Sequence, residues 1–138
     1  MRFLLAFMAV ALFVQAPADA ARQTAGGMTV IAAKRAKAFS SPTRQIKPRN
    51  DMEDVVLVLR VGGLSRDDFR KVERDKVYVM SGENKIAPTI VAAGVIDGKE
   101  EILLVLVGPK ATLDMTLFVG DYPSVAFKAE EAIADELH

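Results

Sequence analysis

Residues Ile86–Val107 read IAPTIVAAGVIDGKEEILLVLV, and this stretch decides the fold. Two apolar runs flank Asp97-Gly98, the strongest short-range signal for a two-residue hairpin turn. That turn sets a register: Ile96 faces Lys99, Val95 faces Glu100, Ala93 faces Ile102 and Val91 faces Leu104. Glu100 and Glu101, just past the turn, read as charges that keep an edge soluble. The second arm is apolar on both faces, with Ile102, Leu104 and Leu106 alternating against Leu103, Val105 and Val107. Val56 and Val58 against Leu57 and Leu59 repeat the pattern. Strands of this kind are covered on both sides. Leu57, Leu59, Leu103, Leu104 and Val105 therefore have two readings. They are the centre of a core whose second face is closed by the N-terminal strand, a short helix or the tail. Alternatively they form an apolar patch that receives a partner, a second subunit of a homo-oligomer or a lipid chain.

Outward from the hairpin, further strand signals recur at short spacing. Met28–Ala33 begins a strand that extends toward Phe39, and Asp54–Val61 is a β-branched run closed by Gly62-Gly63. Between them, residues 40–51 hold two prolines without an apolar pattern and read as a loop. Leu64–Phe69 starts a short helix: Ser65 can cap it, Asp68 follows three residues on, and Leu64 and Phe69 sit at the staple positions. Lys76–Met80 and Thr112–Val119 are strands, the latter with Leu113, Met115 and Leu117 on one face. Gly108-Pro109 ends the strand before it. Tyr122–Phe127 is a last strand whose Pro123 confines it to an edge. Residues 128–138 place Ala129, Ile133 and Leu137 at helical spacing, but acids in the last turn oppose the helix dipole. A short fraying helix or a disordered tail is expected there. About seven strands, one connecting helix and no βαβ alternation make an all-β fold, an antiparallel β-sandwich.

The first twenty residues read as an address. Arg2 precedes an uncharged run, Phe3–Val14, and Ala18-Asp19-Ala20 has the small-x-small form of a signal-peptidase site. Twelve residues reach about 18 Å as helix, too short for a hydrocarbon core of about 30 Å. The expected organisation is a signal peptide at 1–20, a flexible lead-in at 21–27, the sandwich at 28–127 and an acidic tail at 128–138. The short basic start and alanine-rich cleavage region suit a bacterial chain that is periplasmic or extracellular after cleavage, with no membrane span.

Composition removes several chemistries. The 138 residues contain no Cys and no Trp, and their single His is the last residue. A thiolate nucleophile, a cysteine-held metal and a histidine-based triad are therefore excluded within one chain. The serines lie in neither G-x-S-x-G nor S-x-x-K. Asp51/Glu53/Asp54 and Asp67/Asp68 lack the calcium-loop spacing, and the glycine pairs lack a phosphate-loop setting. Catalysis and a cofactor are not expected.

The order of these segments resembles a known kind of domain. A signal peptide is followed by Met28–Arg35, a long loop, Val55–Val61, Val77-Tyr78-Val79 and a closing Leu117–Pro123. This is similar to the immunoglobulin-like β-sandwich domains of unknown function that bacteria export. The Cys…Trp…Cys pattern of antibody-type domains is absent, so only the architecture carries over. The resemblance implies no catalytic residues and an accessory or interaction role in the cell envelope.

Two polar features bear on a partner. Net charge is zero, yet residues 21–50 hold Arg22, Lys34, Arg35, Lys37, Arg44, Lys47 and Arg49 and no acid, while residues 121–138 hold five acids and one base. Lys34, Arg35, Lys37, Arg44, Lys47 and Arg49 are a candidate surface for an anionic envelope component or a protein. Equally, they are solvated charges lying beside the acidic tail. Phe39 is the one aromatic in this block, which disfavours nucleic acid. A periplasmic copper carrier using Met28, Met52, Met80 and Met115 is the alternative, although scattered methionines usually fill cores.

Overall fold

The computed structural model describes residues 23–25 and 27–138, so the expected signal peptide lies outside the described residues. The strands are β1 (Gln23–Ala25), β2 (Met28–Ala36), β3 (Phe39–Ser40), β4 (Gln45–Ile46), β5 (Asp54–Gly62), β6 (Val77–Ser81), β7 (Asn84–Ile86), β8 (Ile90–Ile96), β9 (Lys99–Pro109), β10 (Asp114–Val119), β11 (Val125–Lys128) and β12 (Ile133–Ala134). Between β5 and β6 lie α1 (Arg66–Arg70) and a 3-10 turn at Arg74–Lys76. The larger sheet runs β1-β2-β5-β9-β8, with β12 also paired to β2; the smaller runs β11-β10-β6-β7. All pairings within them are antiparallel except β12 on β2.

The Asp97-Gly98 turn forms with both residues at positive φ, 52° and 78°, as a type I′ turn requires. Its register is the one the sequence predicts, with Ile96 opposite Lys99 and Val91 opposite Leu104. The helix start also forms as read. Ser65 Oγ accepts a bond from Asp68 N at 3.0 Å, and Leu64 and Phe69 both enter the main core.

Period-two alternation places Leu57, Leu59 and Val61 of β5, and Ile102, Leu104 and Leu106 of β9, on the inner face of the larger sheet. They meet Val77 and Val79 of β6, Met115 and Leu117 of β10, and Phe127 of β11. The two sheets thus share one core. On the far side of the smaller sheet, the cross-strand neighbours Tyr78 and Phe118 stack at 5.0 Å, and the Lys85 ammonium lies 4.4 Å from the Tyr78 ring.

The second faces of β5 and β9 are covered in part by the chain itself. Phe39 and Ile46 pack with Val56 and Val105, and Leu137 closes over them. Three expectations are corrected here. Residues 40–51 are not simply a loop, because β3 and β4 form a hairpin. Its turn is Ser41-Pro42-Thr43-Arg44, held by Ser41 N to Arg44 O at 2.8 Å and Arg44 N to Ser41 Oγ at 3.1 Å. Proline in second place suits such a turn, and the hairpin aligns Phe39 with Ile46. The first strand stops at Ala36, and the chain breaks before β3. The tail is neither helical nor free: it runs extended along β2 and reaches Leu137, which bridges to Phe39. Eleven residues make a marginal helix at best, whereas the extended path gains hydrogen bonds. Glu130 N donates to Ala33 O, Lys37 N to Ala134 O, Ser40 N to Leu137 O and Leu137 N to Ala38 O. Smaller differences follow: β9 continues through Pro109, and the last strand is β11, Val125–Lys128, an edge strand that leaves Pro123 outside it in the preceding segment. No helix among the described residues is long and apolar enough to cross a membrane.

Candidate binding surface on the larger sheet

Between the closed second cluster and strand β8, the outer face of the larger sheet opens into a groove of about 430 Å³. Its floor is Ala32, Val58, Ala92, Gly94 and Leu103, and Leu137 and Ile96 form its walls. The hollow has a simple cause. Small side chains at 32, 92 and 94 stand where neighbouring rows carry valine or leucine, and a Cβ added at Gly94 would meet nothing within 4 Å.

Lys34, Arg60, Glu101 and His138 supply the polar rim. Arg60 grips Glu101 with two bonds, Nε to Oε1 and Nη2 to Oε2, both 2.8 Å. The pair runs diagonally between β5 and β9, since Arg60 is opposite Leu103. The hydrogen bonds it donates to Glu101 push the Arg60 pKa above its ordinary value, although partial burial opposes it. Glu101 is therefore not an edge-solubilising charge: it is buried on an interior strand and committed to Arg60. Glu100 has the exposed role, 3.9 Å from Arg66.

The structure divides the basic block. Lys34 lines the groove. Arg35 belongs to no surface: it is buried, and its guanidinium donates to the carbonyls of Glu130, Lys110 and Glu131. Lys37 pairs with Asp135 at 3.5 Å, and Lys47 shares a depression with Asp51, Asp54, Asp135 and Glu136. The Glu136 carboxylate accepts from Ser40 Oγ and from Gln45 Nε2, and these bonds hold its pKa below the ordinary glutamate value. Arg44 and Arg49 are exposed apart from this, on the hairpin turn and the following segment. Lys37 and Lys47 thus lie against acids of the tail, and no continuous basic face brings those six residues together.

The apolar candidates divide as well. Leu57, Leu59 and Leu104 belong to the main core, Val105 to the second cluster, and Leu103 is half-buried at the groove. Met28 and Met115 are core residues, Met80 lies on β6 facing away from that core, and Met52 is 81% exposed in a turn. Asp67 and Asp68 sit in the first turn of α1, facing Arg70 and Lys71.

Sequence reading did not mark Ala92, Gly94, Ile96, Arg60 or Leu137 as binding-surface residues. A signal was present: Arg60 and Glu101 are charges of opposite sign next to apolar runs, and Ala92-Ala93-Gly94 interrupts a β-branched run with small residues. No family model matches this chain, nor does any curated protein or solved structure.

Proposed function

We propose that the chain is an exported, non-catalytic binding domain of the bacterial cell envelope, and that it meets its partner at the groove beside β8. The partner is a protein or an envelope component. One observation carries this reading: the larger sheet keeps an apolar hollow open on a face that the chain elsewhere covers with Phe39, Ile46 and Leu137. Concave apolar surface with a few convergent polar groups is the usual form of a binding site.

An immunoglobulin-like sandwich is supported by strand order. The path β2-β5-β9-β8 follows the A-B-E-D order of such domains, and β11-β10-β6 follows G-F-C. Strand β7 then takes the place beside C. Export is supported by the Arg2, Phe3–Val14 and Ala18-Asp19-Ala20 pattern.

Photo-crosslinking tests the reading. A photoreactive residue at Ala92 or Ile96, in protein expressed from the full coding sequence, is expected to give discrete adducts in intact envelope. The same group at Thr116, on the smaller sheet, is expected to give none. Adducts of equal yield from Thr116, or none from position 92 or 96, would overturn the assignment.

A further inference from the structure

We infer that β8 pairs antiparallel with β8 of a second copy of this chain, joining two larger sheets across a two-fold axis at Ala93. Strand β8 is paired on one side only, to β9, over seven residues without a register shift. Its sequence, Ile90–Ile96, contains no charge and no proline. Natural sheets blunt their edges with charge, proline, bulges or short strands. The other edges of this molecule follow that rule. The outer side of β2 is closed by β1 and β12; β7 has three residues including Lys85; β11 has four, ends in Lys128 and follows Pro123. Only β8, among the described residues, is a long edge without such protection.

Symmetry and charge select a second copy. Residues facing each other across an antiparallel pair point to the same side of the sheet. A strand paired with itself must therefore match residues of equal parity. The register that uses all seven residues sets Ala93 against Ala93, Ala92 against Gly94, Val91 against Val95 and Ile90 against Ile96. Val95 and Ile96, exposed at 57% and 43% in the single chain, then each gain a β-branched neighbour. The same register carries Asp97 to Thr89 of the other copy. Arg74 stands at that end, its guanidinium donating to the Pro88 carbonyl at 3.3 Å. Each end of the pairing thus brings an acid toward a base, whereas a parallel pairing would bring Asp97 toward Asp97. The inference rests on reading this side of the larger sheet as a binding surface, but it concerns the strand edge and leaves the groove's occupant free.

Sedimentation velocity on protein expressed from the full coding sequence tests it. A dimer is expected to fill with rising concentration. Ala93→Lys sets two ammonium groups face to face in the dimer alone, and should weaken association at least about tenfold while leaving the thermal melt of the dilute, monomeric protein unchanged. Ala93→Cys keeps the test open if the lysine variant fails to fold. The chain has no other cysteine, and opposed Cα atoms in an antiparallel pair lie about 4.5–5.5 Å apart, within disulfide reach. Mild oxidation should give a disulfide dimer with Ala93→Cys and none with Val95→Cys, whose two copies would sit about 13 Å apart. A monomer at every concentration up to about 1 mM, association indifferent to Ala93→Lys, or equal linkage of the two cysteine variants would overturn the inference. A monomer that still gives adducts from Ile96 would sink self-pairing alone; a dimer whose only adducts join two copies of this chain would sink the groove alone.

Discussion

At the scale of single residues, two positions fix how remote segments meet. Gly63, just past the end of β5, has φ 77°, and a Cβ there would lie 1.7 Å from the Gly27 carbonyl oxygen. Left-handed backbone costs a side-chain-bearing residue about 1–2 kcal/mol, and the clash adds to it. Gly63→Ala should therefore lower unfolding free energy by more than about 2 kcal/mol, read by urea titration. Gly94→Ala, with open space around its Cβ, should leave stability within about 0.5 kcal/mol. Arg35 is the second position. Its buried guanidinium serves three carbonyls at once, and Arg35→Met leaves all three without that donor. A loss of about 3 kcal/mol is expected, with the amide of Leu137 exchanging faster. Unchanged exchange there would show that the tail holds without Arg35.

At the scale of elements, the tail and the β3–β4 hairpin explain what the sequence could disclose. The β8–β9 hairpin was legible because Asp97-Gly98 dictates its own geometry, and Ser65 marked α1 through local hydrogen bonding. The tail was not legible. Its Ala129, Ile133 and Leu137 spacing is helical, but Leu137 answers to Phe39, nearly a hundred residues away, and long-range contacts override local propensity. Ser41-Pro42 was a turn signal between Phe39 and Ile46, diluted by the polar residues around it. The groove was harder still, since a hollow arises from small residues on two strands far apart in the sequence, Ala32 on β2 and Ala92 and Gly94 on β8. Glu136 ties the hairpin to the tail, and pH should loosen it. The bonds from Ser40 and Gln45 depress its folded pKa, so its contribution is complete above the unfolded value and is lost as pH falls through the folded one. An NMR titration should place the Glu136 midpoint below that of an ordinary glutamate. In Ser40→Ala the midpoint should move up; an unchanged midpoint would remove Ser40 from the contact.

At the scale of the whole molecule, the doubly apolar strands meet two different surroundings on their two faces. Leu104 and Leu103 are chain neighbours of like chemistry, yet β9 sends one into the shared core and the other to the groove. Leu104 is fully buried, so Leu104→Ala should cost about 2–5 kcal/mol. Leu104→Asp places an unpaired carboxylate among apolar side chains and should abolish folding. Leu103 is half-buried against open space. Leu103→Ala removes fewer contacts and enlarges a hollow already there, and should cost about 1 kcal/mol. Urea titration of the two alanine variants separates the faces. If Leu103→Ala proved as damaging as Leu104→Ala, the outer face would be core, and its groove would lose the freedom to accept a partner. If Leu104→Asp stayed folded and lost only self-association, the shared core of the two sheets would itself be in doubt.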